Sequence, residues 1–257
     1  MLGLYDSGLG GLTVLAALRA AGITQDVVYF ADQAHNPYGD KTEAEIHGYL
    51  QHNLALLAEQ HVDAVITACN TSCAIAQRYG WPEIAVPVLD LIATAGAAFA
   101  GTPHRSIAVV ATAATVRSGA YARAIRAAAP HANVHEIAAP KLVPIVERGE
   151  TETVAARDAV AEIVAQLPPN LDAIVYGCTH YPLLDRWFAE LLAPRIARID
   201  PAGAQAAATA ALVGARRLPQ GASRTAYYTN GDPTAFQSAV RRWTGDTNAR
   251  VTALVAG

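Results

Sequence analysis

Short apolar runs alternate with longer helical stretches through almost the whole chain. Residues 2–5, 27–30, 64–67, 86–89, 107–110, 134–137, 174–176 and 197–199 are brief, mostly apolar runs. Runs without polar alternation read as strands buried on both faces, the mark of a parallel sheet. Between them, residues 13–21, 42–60, 115–129, 151–166 and 202–217 read as helices. Strand–helix alternation predicts parallel sheets joined by crossover helices. Tyr227-Tyr228-Thr229 and the helix-like stretch 233–243 are expected to fold back on the first part of the chain.

A repeat lies beneath this alternation. Asp63 opens the run leading to Cys69, and Asp172 opens the run leading to Cys178, six residues on in each case. Asp6 precedes Cys69 by 63 residues and Thr112 precedes Cys178 by 66. Each half therefore offers a polar residue and a cysteine at neighbouring strand ends, where open α/β sheets bind ligands. The expected fold is α/β, with two pseudo-symmetric parallel-sheet domains and the active site in the cleft between them. Residues 1–95 with 205–257 are assigned to the first domain and 96–204 to the second.

Composition narrows the classes. With 52% hydrophobic and 16% charged residues, the chain is globular rather than disordered. A net charge of −3 gives no basic footprint for nucleic acid. The longest weakly polar stretch, residues 202–215, is broken by Gln205 and Thr209 and is too short to span a bilayer. The N-terminal MLGLYDSGLGG lacks the basic region and apolar core of a secretion signal. Three cysteines cannot all pair within the chain, which points to a reducing cytoplasm. Lys41 and Lys141 are the two lysines, and neither sits in a pyridoxal Schiff-base motif.

Two thiols at opposed strand ends could face one small ligand from opposite sides, the geometry of a two-base proton exchange. A thiol acts as a base only as thiolate, which a helix N-terminus or a nearby cation favours. Cys69-Asn70-Thr71 and Cys178-Thr179-His180 each follow a strand. Asn70, Thr71 and Thr179 bring donors for a carboxylate, and His180 can relay a proton. A single cysteine after a strand is most often a small buried hydrophobe; the echo argues otherwise. In Asp6-Ser7-Gly8-Leu9-Gly10-Gly11 the glycines allow close backbone approach to a ligand, and the next helix offers free N–H groups. The spacing is not the dinucleotide fingerprint, and an ordinary Asp/Ser helix cap competes with the ligand reading. The turn-rich loop 36–41 makes Tyr38 and Gly39 candidates, with Asp32 just before it. Glu147 ends a short apolar segment, a place where an acid is usually on the surface. Cys73 reads as packing, although Cys69, Cys73, Cys178 and His180 form a Cys3His set with poor spacing for zinc. The other histidines, His35 among them, read as solvated or capping.

Taken together, the motifs resemble the cofactor-independent glutamate racemases of the aspartate/glutamate racemase superfamily. The resemblance is carried by LGLYDSGLGGLTVL, YFADQAHNPYGDKT, ITACNTSCA, AVVATAATVRSGAY, KLVPIVERGE, YGCTHYPLL, IDPA and YYTNGDPTAF, in that order. Cys73 and the Gln33-Ala34-His35-Asn36 run depart from it. The resemblance implies that Cys69 and Cys178 are the acid/base thiols, assisted by Asp6 and His180 and more weakly by Asp32 and Glu147. It implies substrate contacts from Asp6, Ser7, Tyr38, Gly39, Asn70, Thr71, Thr179 and His180. It further implies glutamate as substrate, no cofactor and no metal, no nucleic-acid or membrane partner, a cytoplasmic homodimer, and supply of D-glutamate for peptidoglycan. The rival readings are a sister racemase of aspartate or a hydantoin, a two-domain anion-binding protein, and a zinc-stabilised module.

Overall fold

The computed structural model describes residues 1–214 and 223–254. The first sheet is built from β1 (Leu2–Asp6), β2 (Val27–Ala31), β3 (Ala64–Thr67) and β4 (Val88–Asp90), joined by the late strands β9 (Thr225–Thr229) and β10 (Val251–Ala253). The second is built from β5 (Ser106–Ala111), β6 (Asn133–Ala138), β7 (Ala173–Gly177) and β8 (Ala197–Ile199). Their orders are β10-β9-β2-β1-β3-β4 and β6-β5-β7-β8, and every pairing is parallel. The first four strands of each half thus follow one order: second, first, third, fourth. In both, the order reverses beside the first strand, between β1 and β3 and between β5 and β7. Such a switch point leaves a crevice at the carboxyl ends of the strands.

Registers refine the expected repeat. Asp6 lies opposite Ala31 across β1 and β2, and Ala111 lies opposite Ala138 across β5 and β6. The counterpart of Asp6 is therefore Ala111, and Thr112 answers to Ser7 rather than to Asp6.

The crossovers run through α1 (Leu12–Ala20), α2 (Glu43–Glu59), α3 (Asn70–Tyr79) and α4 (Leu91–Ala97) in the first half. The second half has α5 (Ala113–Ser118), α6 (Ala120–Ala128), α7 (Leu142–Glu147), α8 (Val154–Val164) and α9 (Asp185–Leu191), and the later α10 (Pro201–Val213) and α11 (Pro233–Thr244) pack back on α1 of the first half. Thr42 and Glu45 close a reciprocal capping box on α2. The single helix expected over 115–129 is two, parted by Gly119 at φ 63°, a left-handed turn that a side chain would strain. Strand β4 lies two residues later than the run at 86–89, where Pro87 has no N–H to give a ladder. The last helix expected in this part ends at Val213, and residues 215–217 of that expectation lie outside the described residues. The largest buried cluster joins Leu4 and Ile66 of the first sheet to Val110 and Ile174 of the second, so the halves share a core. Among the described residues, no helix is long and apolar enough to cross a membrane.

Candidate active site

Ser7, Cys69, Asn70 and Thr71, from the ends of β1 and β3, line one small cavity with Thr112, Cys178, Thr179 and His180, from the ends of β5 and β7. Tyr38 and Gly39 close it from the loop after β2. The remaining space, about 10 Å³ to the centre of a water-sized sphere, suits roughly one water. Both cysteines are buried and free.

The surroundings of the two thiols differ. Cys69 is the N-cap of α3, and its sulfur accepts the Ser72 N–H at 3.4 Å, with the Ser7 hydroxyl at 3.5 Å. Burial, reinforced by the Asp6 carboxylate, pushes the Cys69 thiol up to about 12; the Ser72 and Ser7 contacts work the other way. Cys178 has its sulfur 3.6 Å from Nδ1 of His180, whose Nε2 lies 2.7 Å from Glu147 Oε1. Although burial opposes it, bonding to Cys178 and Glu147 holds the imidazole well above its usual range. Glu147 in turn is kept below the usual carboxylate range: burial would raise it, but His180 and the Leu9 N–H prevail. Its side chain is only 21% exposed, so it is not a surface acid.

Asp6 is fully buried, accepts the Gly8 N–H at 3.0 Å and the Thr179 hydroxyl at 3.2 Å, and so joins the halves. Burial lifts its carboxyl to about 6, against the pull of His180 and of the Gly8 and Gly11 N–H groups. Asp32 lies behind the cavity. It accepts from the Tyr38 hydroxyl, from Asn53 Nδ2 at 2.8 Å and from Asn230 Nδ2 at 2.6 Å. Its remaining partner is His35 at 2.6 Å, whose ring stacks on Tyr49 at 3.9 Å. His35 is therefore part of this network, although its side chain is still 36% exposed.

The glycines of the first loop serve close packing between the halves. A Cβ at Gly10 would fall 2.4 Å from Thr179 Oγ1 and 2.5 Å from His180 Nδ1. Gly11, not Asp6 or Ser7, caps α1, and no side chain bonds there. Cys73 lies in a separate buried cluster with Leu91 and Tyr121, its sulfur turned to the Thr67 carbonyl, so the Cys3His set is not assembled. Among the described residues, no cluster of three or more His, Cys, Asp or Glu is arranged to hold a metal.

Thr112, Thr115 and Tyr121, which touch the predicted Thr71 and Asn70, were not singled out from the sequence as site residues. Thr71, Thr112 and Thr115 join hydroxyls across the halves, at 2.9 Å between Thr71 and Thr112 and 2.9 Å between Thr112 and Thr115. The Tyr121 hydroxyl donates to Asn70 Oδ1 and leaves the Asn70 NH2 without a partner among the described residues. The position of Thr112 at a strand end was a signal for it. Tyr121 lay inside a helix pattern and gave none.

The Asp/Glu/Hydantoin racemase family model matches residues 14–211. The chain belongs to that family. Its relatives of substantial identity and coverage, named glutamate racemases, make it an amino-acid racemase, an isomerase. The glutamate racemase of Gloeobacter violaceus is 43% identical over 247 residues, covering 95% of this chain and 92% of that protein. The crystal structure of a glutamate racemase isoform from Bacillus anthracis matches with TM-score 0.90 at 25% identity, covering 100% of this chain and 97% of that one. The racemase of Francisella tularensis, solved with D-glutamate, matches with TM-score 0.86 at 28% identity, over 98% of this chain and 96% of its own. The fold described above matches both crystal structures over nearly the whole chain.

Proposed function

We propose that this racemase interconverts L- and D-glutamate by proton exchange between Cys69 and Cys178, with no cofactor. The observation that carries the reading is the pair of buried thiols, one from each half, lining a single cavity. One thiolate removes the α-proton while the opposite thiol delivers a proton to the other face, and the roles exchange with direction. In the closed form Cys69 holds its proton, so it stands ready as donor. His180, charged and 3.6 Å from the Cys178 sulfur, is placed to exchange a proton with it. The free NH2 of Asn70 and the hydroxyls of Ser7, Thr71 and Thr179 suit the substrate carboxylates. Fixed donors in a water-poor site would stabilise carbanion character at the α-carbon.

Glutamate is favoured because the relatives above carry its name, and one of them was solved with D-glutamate. The two bodies that close on it are proposed as 1–95 with 205–257 and 96–204. Family resemblance further supports a cytoplasmic homodimer that supplies D-glutamate for peptidoglycan. The test is a chiral assay of both glutamate enantiomers, with aspartate as control, after exhaustive dialysis against a chelator. Racemisation of glutamate without added pyridoxal, metal or ATP is the expected result. Loss on dialysis with recovery on metal addition, or preference for aspartate, would refute the reading.

A further inference from the structure

A single carboxylate oxygen ties the halves together beside the cavity. Oε1 of Glu147, the last residue of α7, accepts from His180 Nε2 at 2.7 Å, Asn36 Nδ2 at 2.7 Å and the Leu9 N–H at 3.1 Å. His180 belongs to the same half as Glu147, whereas Leu9 and Asn36 stand in the loops after β1 and β2. Gly8 makes this meeting possible: a Cβ there would fall 2.1 Å from both Asn36 Nδ2 and Glu147 Oε1. Asn36 also lines the cavity itself. It belongs to the 33–36 run that departs from the family motif, so the resemblance assigns it nothing. An amide donates without carrying charge and has no proton to lose near neutrality. It steadies a carboxylate without competing for the imidazole proton.

We infer that Asn36 is a positioning residue, which reaches across the cleft to hold the Glu147 carboxylate on His180 and so fixes the imidazole beside Cys178 whenever the cleft closes. The inference rests on the racemase reading above. Other groups facing this pair are Cys178 at Nδ1, Asp6 from the end of β1, and Gln33 and Tyr29 from the β2 side. The nearby guanidiniums are engaged elsewhere: Arg242 on the Gly149 carbonyl and Arg148 on Glu150. Without the amide, the carboxylate keeps the Leu9 N–H and the Gln33 side chain but loses its 2.7 Å donor from across the cleft, its hold on the imidazole loosens, and His180 loses support for its charge.

The test compares wild type with Asn36→Leu, which keeps the size and removes the donor, and Asn36→Gln, which keeps the amide. The His180 ring is titrated by long-range proton–nitrogen NMR, its signal assigned by its loss in His180→Asn. In Asn36→Leu, His180 is expected to release its proton at lower pH, and the alkaline limb of kcat/KM for glutamate to move the same way. The turnover number should fall about ten-fold, with KM changing less. Asn36→Gln should hold the wild-type titration. Asn36→Ala gives the same reading should the leucine variant not fold. An unmoved titration and limb in a folded leucine or alanine variant would overturn the inference even if the rate fell, because a merely structural role moves neither. A glutamine variant titrating like the leucine variant would overturn it as well. If wild type does not racemise glutamate, the functional reading fails, and the NMR titration alone judges Asn36.

Discussion

Each thiol takes its character from different neighbours: a helix N-terminus and a buried carboxylate at Cys69, a charged imidazole at Cys178. Replacing either cysteine with alanine should abolish racemisation and leave the fold intact, since each is small and its loss empties little volume. Single serine variants in heavy water separate the roles. Cys69→Ser and Cys178→Ser should exchange the α-proton from opposite enantiomers of glutamate; the same preference in both would end the two-thiol mechanism. Asp6 makes a second prediction, on stability. Its folded-state carboxyl is raised from 3.8 to about 6, so folding favours the protonated form. That contribution is fully present below the ordinary value and is lost as pH rises through the raised one. Asp6→Asn stays neutral throughout. It should exceed wild type in stability above about pH 6, by on the order of 2–3 kcal/mol, and the gap should close below 3.8. Urea unfolding of both proteins on either side of that window measures it, and a gap of constant size would contradict the burial argument. The same variant is expected to be poorly active, a site residue being kept at some cost in stability.

Among the elements, the loop from Asp6 to Gly11 carries the strictest geometry. Gly10→Ala would press a methyl group on Thr179 and His180. It should lower kcat/KM at least ten-fold while circular dichroism stays that of wild type, because the clash is relieved by parting the halves rather than by unfolding. Removing the cap of α2 is a different kind of change: Thr42→Ala should cost about 1 kcal/mol in denaturant unfolding and leave the kinetics alone. The central strands were legible in the sequence because burial on both faces leaves unbroken apolar runs, as in Ala64–Thr67 and Ala173–Gly177. The late strand Thr225–Thr229 was not, since only Tyr227 and Thr229 are buried and its partner β2 is nearly two hundred residues earlier. Cys69 and Cys178 were legible through their echo. His35 and Asn36 were not, because their partners Tyr49 and Glu147 meet them only after the loops fold, and the local Asp32–His35 spacing alone marks no site.

For the molecule as a whole, a cavity with room for about one water cannot admit an amino acid unless the halves part. The Leu9 N–H, bonded to Glu147 across the cleft, reports that motion. In native-state hydrogen exchange it should exchange far faster than the N–H of Leu4 in the central strand, and saturating D-glutamate should slow it. Equal protection of the two amides without ligand would argue against opening. The repeated strand order has a consequence for energetics. It is what duplication of an ancestral half-length chain would leave, with a thiol after the third strand of each half. Since then the halves have diverged: Ala111 stands where the first half has Asp6, and Ala139 where it has Asp32. Mirror-image substrates have equal free energies, so the equilibrium constant is unity and kcat/KM must be equal in the two directions, however unlike the thiols become. Divergence could therefore never bias the product. Under the proposed two-thiol exchange it could change the shared kcat/KM, and it could change which of two proton-bearing forms the free enzyme occupies between turnovers, and so how each direction divides that kcat/KM between speed and saturation.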